Sequence, residues 1–89
     1  MAIDLGTAST IIAVKGRGVV LDEPSLVAIN ELNEEIVAFG HEAFEMTGRE
    51  GRDVVVRAPL IGGVVGDFER TKKMLQHFVK KARSGGSNI

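Results

Sequence analysis

At 89 residues, with 44% hydrophobic and 26% charged side chains, the chain is one small domain or a piece of a larger one, which excludes a disordered or collagen-like segment. A chain this short buries only roughly 60–65% of its unfolded surface, enough for one thin core, which argues against a complete enzyme built round an interdomain cleft. Eleven Lys and Arg against twelve Asp and Glu leave a formal charge of −1 and no global field toward nucleic acid, while the absence of Cys removes both a disulfide frame and a thiolate metal site.

The chain opens with a short apolar segment, Ile3 to Leu5, that turns at Gly6 and runs into the β-branched Thr10-Ile11-Ile12-Ala13-Val14. Lys15-Gly16-Arg17-Gly18 punctuates before Val19-Val20-Leu21, and two apolar runs joined by a Gly-rich link predict a hairpin. The Gly16-x-Gly18 pair is a poor dinucleotide fingerprint, because the third Gly is missing and a strand follows where a helix N-terminus is needed. Ser25-Leu26-Val27-Ala28-Ile29 predicts a strand that ends at the polar cluster from Asn30 to Glu35, and Ile36-Val37-Ala38-Phe39 predicts another, closed by Gly40. A short helix follows over residues 41–47, with Ala43, Phe44 and Met46 apolar and Gly48 as its C-cap. A polar turn over residues 49–53 leads to the strand Val54-Val55-Val56, stopped by Ala58-Pro59, and Gly62, Gly63 and Gly66 predict an irregular connection.

Asp67 is a good N-cap, and beyond it Phe68, Thr71, Leu75, Phe78 and Ala82 recur at alternating spacings of three and four, with Met74 and Val79 widening the stripe. This predicts an amphipathic helix over residues 67–83. Glu69 in its first turn and Lys80, Lys81 and Arg83 in its last suit the helix dipole. Ser84-Gly85-Gly86-Ser87 is expected to stop the helix near Arg83 and to leave residues 84–89 as a loop or linker. Phe39, Phe44, Phe68 and Phe78 fall at core-like positions, which argues against a stacking platform for single-stranded nucleic acid. No apolar run approaches the ~18–20 residues that span a bilayer, and the N-terminus carries no basic segment ahead of a long apolar stretch, so the cytoplasm is the expected compartment.

The segment Ile3-Asp4-Leu5-Gly6-Thr7-Ala8-Ser9-Thr10 holds the chemistry. Phosphate needs a dense group of hydrogen-bond donors, and a Gly turn lets backbone N–H groups converge without a side chain in the way. Thr7, Ser9 and Thr10 add hydroxyls, and Asp4 has the charge to hold a hydrated Mg²⁺ beside the phosphate. Taken alone the same residues also suit a polar hairpin turn in which Asp4 and Thr7 bond their own backbone. His41 and His77 lack the i, i+4 partner of a helical metal pair, and Ser9 and Ser25 lack an evident base, so metal ligation and a nucleophilic triad are not expected.

Asp4-Leu5-Gly6-Thr7-Ala8-Ser9-Thr10 resembles the first phosphate loop of the actin, sugar-kinase and seventy-kilodalton chaperone superfamily. Glu23-Pro24-Ser25 with Val27-Ala28-Ile29, then Val37-Ala38-Phe39-Gly40-His41-Glu42-Ala43, then Pro59-Leu60 with Gly63-Val64-Val65-Gly66-Asp67-Phe68, narrow the likeness. In this order they are similar to the N-terminal portion of the MreB family of bacterial actins. Ser9 stands where that family usually has Asn, and Ile61 and Gly62 where it often has a basic residue and Asp.

The resemblance implies an α/β, actin-like (ribonuclease-H-like) first domain that is incomplete. Residues 1–21 would form the phosphate-loop hairpin, 22–66 a small inserted subdomain, 67–83 the long helix and 84–89 a loop or tail. It implies ATP and Mg²⁺ as cofactors of a longer parent, with Asp4, Gly6, Thr7, Ala8, Ser9 and Thr10 at the nucleotide and Asp4 reaching the metal through water. It further implies self-assembly into filaments that guide cell-wall elongation and rod shape, at the inner face of the cytoplasmic membrane and with the elongation machinery. The loop after the helix in this family carries residues that dip into the membrane, and Lys80, Lys81, Arg83 and Ile89 are the candidates here, juxtamembrane cations gaining roughly 1 kcal/mol each near an anionic surface. The second phosphate loop, catalytic carboxylate and adenosine pocket of the family have no counterpart in these residues, so no ATPase activity is expected of the 89-residue chain alone. The alternatives are a non-catalytic interaction module and a fragment of a chaperone-type or kinase-type ATPase.

Overall fold

The computed structural model describes residues 1–47 and 53–87, the last three as helical backbone. The β-branched segments form β1 (Ala2–Leu5), β2 (Ser9–Val14) and β3 (Gly18–Pro24), paired antiparallel in the order β1-β2-β3. The register places Ile3, Ile12 and Leu21 in one cross-strand row and Asp4, Ile11 and Asp22 in the next. Because side chains alternate along a strand, these rows face opposite sides of the sheet. A second antiparallel sheet, in the order β5-β4-β6, contains β4 (Val27–Asn30), β5 (Glu35–Phe39) and β6 (Val54–Arg57). β4 lies between its two partners, and its apolar run is buried at Val27, Ala28 and Ile29 alike.

α1 (Gly40–Glu45) follows β5, β7 (Leu60–Ile61) and β8 (Val64–Val65) form a small hairpin, and α2 (Phe68–Ser87) closes the chain. Asp67 caps α2: its Oδ1 accepts the Arg70 N–H at 3.0 Å and its carbonyl accepts the Thr71 N–H at 3.0 Å. The core lies where the two sheets meet α2. Ile12 and Leu21 enter from the first sheet, Val27 and Ile29 from the second, Met74, Phe78 and Ala82 from α2, and Leu60 from β7.

The buried row of α2 is Thr71, Met74, Phe78 and Ala82, a stripe turned from the predicted one. Leu75 is half-buried and Phe68 is 70% exposed, because α2 covers β2 and β3 and leaves β1 beside an open flank. Ile3, Leu75, Val79, Lys80 and Arg83 line that flank. Phe44 is exposed as well, since the short α1 buries only Gly40 and Ala43. Two of the four Phe positions read as core are therefore surface positions.

Other boundaries shift. The first sheet runs to Pro24 rather than ending at Leu21, and the second begins at Val27 rather than Ser25. The glycine-rich connection is the β7–β8 hairpin turning through Gly62 and Gly63. α2 continues to Ser87 instead of stopping near Arg83. Glycine weakens a helix by roughly 1 kcal/mol per residue but does not end one already propagating, and Ser84 Oγ donates to the Lys80 carbonyl at 2.8 Å within the helix. The Gly48 cap, residues 49–52 of the polar turn, and Asn88 and Ile89 lie outside the described residues.

Candidate functional site

The turn between β1 and β2 is closed by the Gly6 N–H, which donates to the Ser9 carbonyl at 3.0 Å. A Cβ on Gly6 would lie 2.9 Å from that same carbonyl oxygen, a backbone atom that cannot step aside, so the turn excludes any larger residue there. Thr7 and Ala8 form the exposed crest, and their N–H groups have no partner among the described residues. Thr7 Oγ1 accepts the N–H of Gly63, which ties the crest to the β7–β8 turn. Asp4 is exposed in the strand row opposite Ile11, on the sheet face away from Ile12 and Leu21, and Ser9 is half-buried at the start of β2.

Thr10 differs from its neighbours. It is fully buried, and its hydroxyl bonds Ser25 Oγ at 2.8 Å, while Ser25 Oγ donates to the Gly6 carbonyl at 2.6 Å and the Ser25 N–H donates to the Ala8 carbonyl at 3.1 Å. Thr10 therefore braces the loop from beneath instead of presenting a hydroxyl to solvent. The crest combines two unpartnered amides, the Thr7 oxygen and a nearby carboxylate. That donor set suits a phosphate group with a hydrated Mg²⁺ beside it.

A second polar cluster lies behind the loop. Glu23 is 5% exposed, yet Lys81 Nζ lies 2.5 Å from its Oε2 and the His41 N–H donates to its Oε1 at 3.0 Å. Burial on its own raises this carboxyl's pKa. The hydrogen bonds from Lys81 and His41 and the Lys81 charge outweigh it, so the group titrates below the ordinary carboxylate value. Gly40 makes room for the cluster: at φ +62° it takes a left-handed conformation, and a Cβ there would sit 2.1 Å from Glu23 Oε1 and 2.9 Å from Phe78 Cε1.

The remaining candidates separate. His77 stacks on Phe39 with centroids 4.4 Å apart, and His41 Nε2 lies 3.1 Å from the Asp22 carbonyl; among the described residues no cluster of three or more His, Asp and Glu is set to hold a metal. Lys80 and Arg83 are exposed at the open flank of α2, whereas Lys81 is engaged by Glu23. No described helix is long and apolar enough to cross a membrane.

Ser25, Glu23 and Gly63 were not singled out as site residues from sequence. A countable signal existed for Ser25: the β2–β3 register pairs Thr10 with Glu23 and Ser9 with Pro24, and one further step brings Ser25 beside Ala8. Nothing comparable marks Glu23 or Gly63, whose partners come from α1, α2 and the loop crest.

A family model described as MreB/Mbl protein matches residues 1–88. The chain is 46% identical over 86 residues to the cell shape-determining protein Mbl of Bacillus subtilis, covering 97% of this chain and 26% of that relative. It is 47% identical over 88 residues to the cell shape-determining protein MreB of Escherichia coli K12, covering 94% and 25%. It therefore spans about a quarter of the length of the curated relatives it matches. Among solved structures, MreB5 of Spiroplasma citri bound to ADP superposes with a TM-score of 0.80 at 36% identity, over 92% of this chain and 25% of that one. The same protein bound to AMPPNP gives 0.76 at 40%, over 84% and 22%. A tight Gly turn on an antiparallel hairpin, an α/β fold shared with these actin-like structures and a family match over nearly every residue lead to one assignment: the chain belongs to the MreB/Mbl family.

Proposed function

We propose that this chain is the first-domain portion of an MreB-type filament ATPase, in which the β1–β2 loop holds nucleotide phosphate through the Thr7 and Ala8 amides and Asp4 holds Mg²⁺ through water. The observation that carries this is the crest itself, with Gly6 admitting close approach and two amides unpartnered among the described residues. The ADP- and AMPPNP-bound states of the MreB5 relative support it. Mg²⁺ when bound would neutralise phosphate charge, and the chain's own part is to orient donors and exclude side-chain bulk at Gly6. Longer relatives named for cell-shape determination support nucleotide-dependent self-assembly into filaments that guide wall elongation at the cytoplasmic membrane. One loop alone holds ATP no better than at millimolar strength, about −4 kcal/mol, and without hydrolysis.

The test is a chimera in which residues 1–88 replace the matching quarter of Escherichia coli MreB. Mg-ATP binding and sedimentable polymer are expected with the native loop, and both should be lost with Gly6→Val and weakened with Asp4→Ala. Retained ATP binding in Gly6→Val refutes the reading. Membrane association rests on Lys80 and Arg83, and chimera polymer is expected to co-sediment with anionic but not neutral vesicles in a salt-sensitive way. Equal binding to both lipids rejects that part.

A further inference from the structure

The phosphate crest is held from below by a single short segment. Ser25 has no exposed surface, and it takes both loop carbonyls: Gly6 O through its hydroxyl at 2.6 Å and Ala8 O through its amide at 3.1 Å. A trans peptide is planar with its C=O and N–H opposed. Holding the Gly6 carbonyl inward therefore turns the Thr7 N–H outward, and holding the Ala8 carbonyl fixes the other end of the crest. Thr10 supplies the hydrogen that frees the Ser25 hydroxyl to donate to Gly6. Two residues earlier, Glu23 is locked to Lys81 of α2 and to the His41 amide of α1. Pro24 lies between, with its φ fixed by the ring.

We infer that Ser25 is a positioning residue for the phosphate loop, aiming the Thr7 amide at the ligand and holding Ala8 beside it, and that Glu23, through rigid Pro24, couples that aim to the placement of α1 and α2. The inference rests on the reading of the loop as a phosphate site. It adds a residue that does not touch phosphate yet governs how well phosphate is held.

The test titrates Mg²⁺-triphosphate into the isotopically labelled 89-residue chain and follows the Thr7, Ala8 and Ser9 amide resonances, with urea midpoints measured in parallel. Ser25→Ala is expected to weaken triphosphate binding about fivefold, the change matching one net hydrogen bond, and Ser25→Thr to restore it. Glu23→Gln, which keeps a group to accept the His41 N–H but removes the charge facing Lys81, is expected to move the Thr7 and Ala8 resonances although neither residue touches it. If the unsubstituted chain gives no response up to millimolar triphosphate, the same variants are read by Mg-ATP affinity in the chimera, where absence of binding by the native loop refutes the phosphate reading and this inference with it. If the unsubstituted chain responds and Ser25→Ala binds equally well, the positioning role alone is overturned. Should Ser25→Ala fail to fold, Ser25→Thr and Glu23→Gln decide: unchanged loop resonances and affinity in Glu23→Gln overturn the coupling, and Ser25→Thr binding fivefold weaker than the native chain despite a native urea midpoint overturns the positioning role.

Discussion

Gly40→Ala is expected to be strongly destabilising. Two costs add. An L-residue held at φ +62° carries roughly 1–2 kcal/mol of left-handed strain. The new Cβ would also sit 2.1 Å from Glu23 Oε1, so the carboxylate must leave a place where it is 5% exposed and paired with Lys81. Displacing it forfeits the His41 N–H hydrogen bond and the contact with the half-exposed Lys81, about 1–3 kcal/mol together, and the contact with Phe78 Cε1 at 2.9 Å prevents the helix from absorbing the shift. The sum, about 2–5 kcal/mol, is a large part of the ~5–15 kcal/mol that holds a whole domain folded. Gly16→Ala is the control, because Gly16 sits at φ +84° with nothing within 4 Å of its Cβ position and isolates the strain alone. Urea denaturation followed by circular dichroism at several protein concentrations is the assay. Midpoints for the two variants that differ by less than the equivalent of about 1 kcal/mol would refute the reasoning, since the Glu23 clash would then carry no energy.

Two other outcomes follow from the same core. Met74→Ala, at a fully buried site, should cost about 2–5 kcal/mol, whereas Leu75→Ala, at the edge of the open flank, should cost about 1 kcal/mol; equal losses in denaturant titrations would mean that the flank is covered in solution. The Glu23 carboxyl titrates below its ordinary value of 4.5, so its contribution to stability is complete above that pH and is lost as pH falls through the lower folded value. Between neutral pH and pH 3 the melting temperature of the native chain should therefore fall further than that of Glu23→Gln, and parallel profiles would count against the clamp.

Features set by neighbouring residues were legible in the sequence, and features set by distant ones were not. The β-branched runs specify β2 and β4, and Asp67 marks the start of α2, because each signal acts within a turn or a strand of its own position. The apolar periodicity of α2 points one flank away from the row that is buried. Periodicity defines a wide apolar arc, but the sheet decides which edge of that arc it covers, and α2 lies over Leu21 and Ile12 more than over Ile3. Phe68 falls on that periodic stripe and is exposed for the same reason. Glu23 lay hidden by its charge: a carboxylate is normally a surface residue, and only the arrival of Lys81, 58 residues later, makes its burial affordable. The consequence reaches the site. Glu23 and Ser25 lie on one side of the same chain segment, one fixing the helices and the other the β1–β2 loop crest, so a variant that loosens either end must be judged by loop resonances and denaturation together, because stability alone does not separate a lost clamp from a displaced loop.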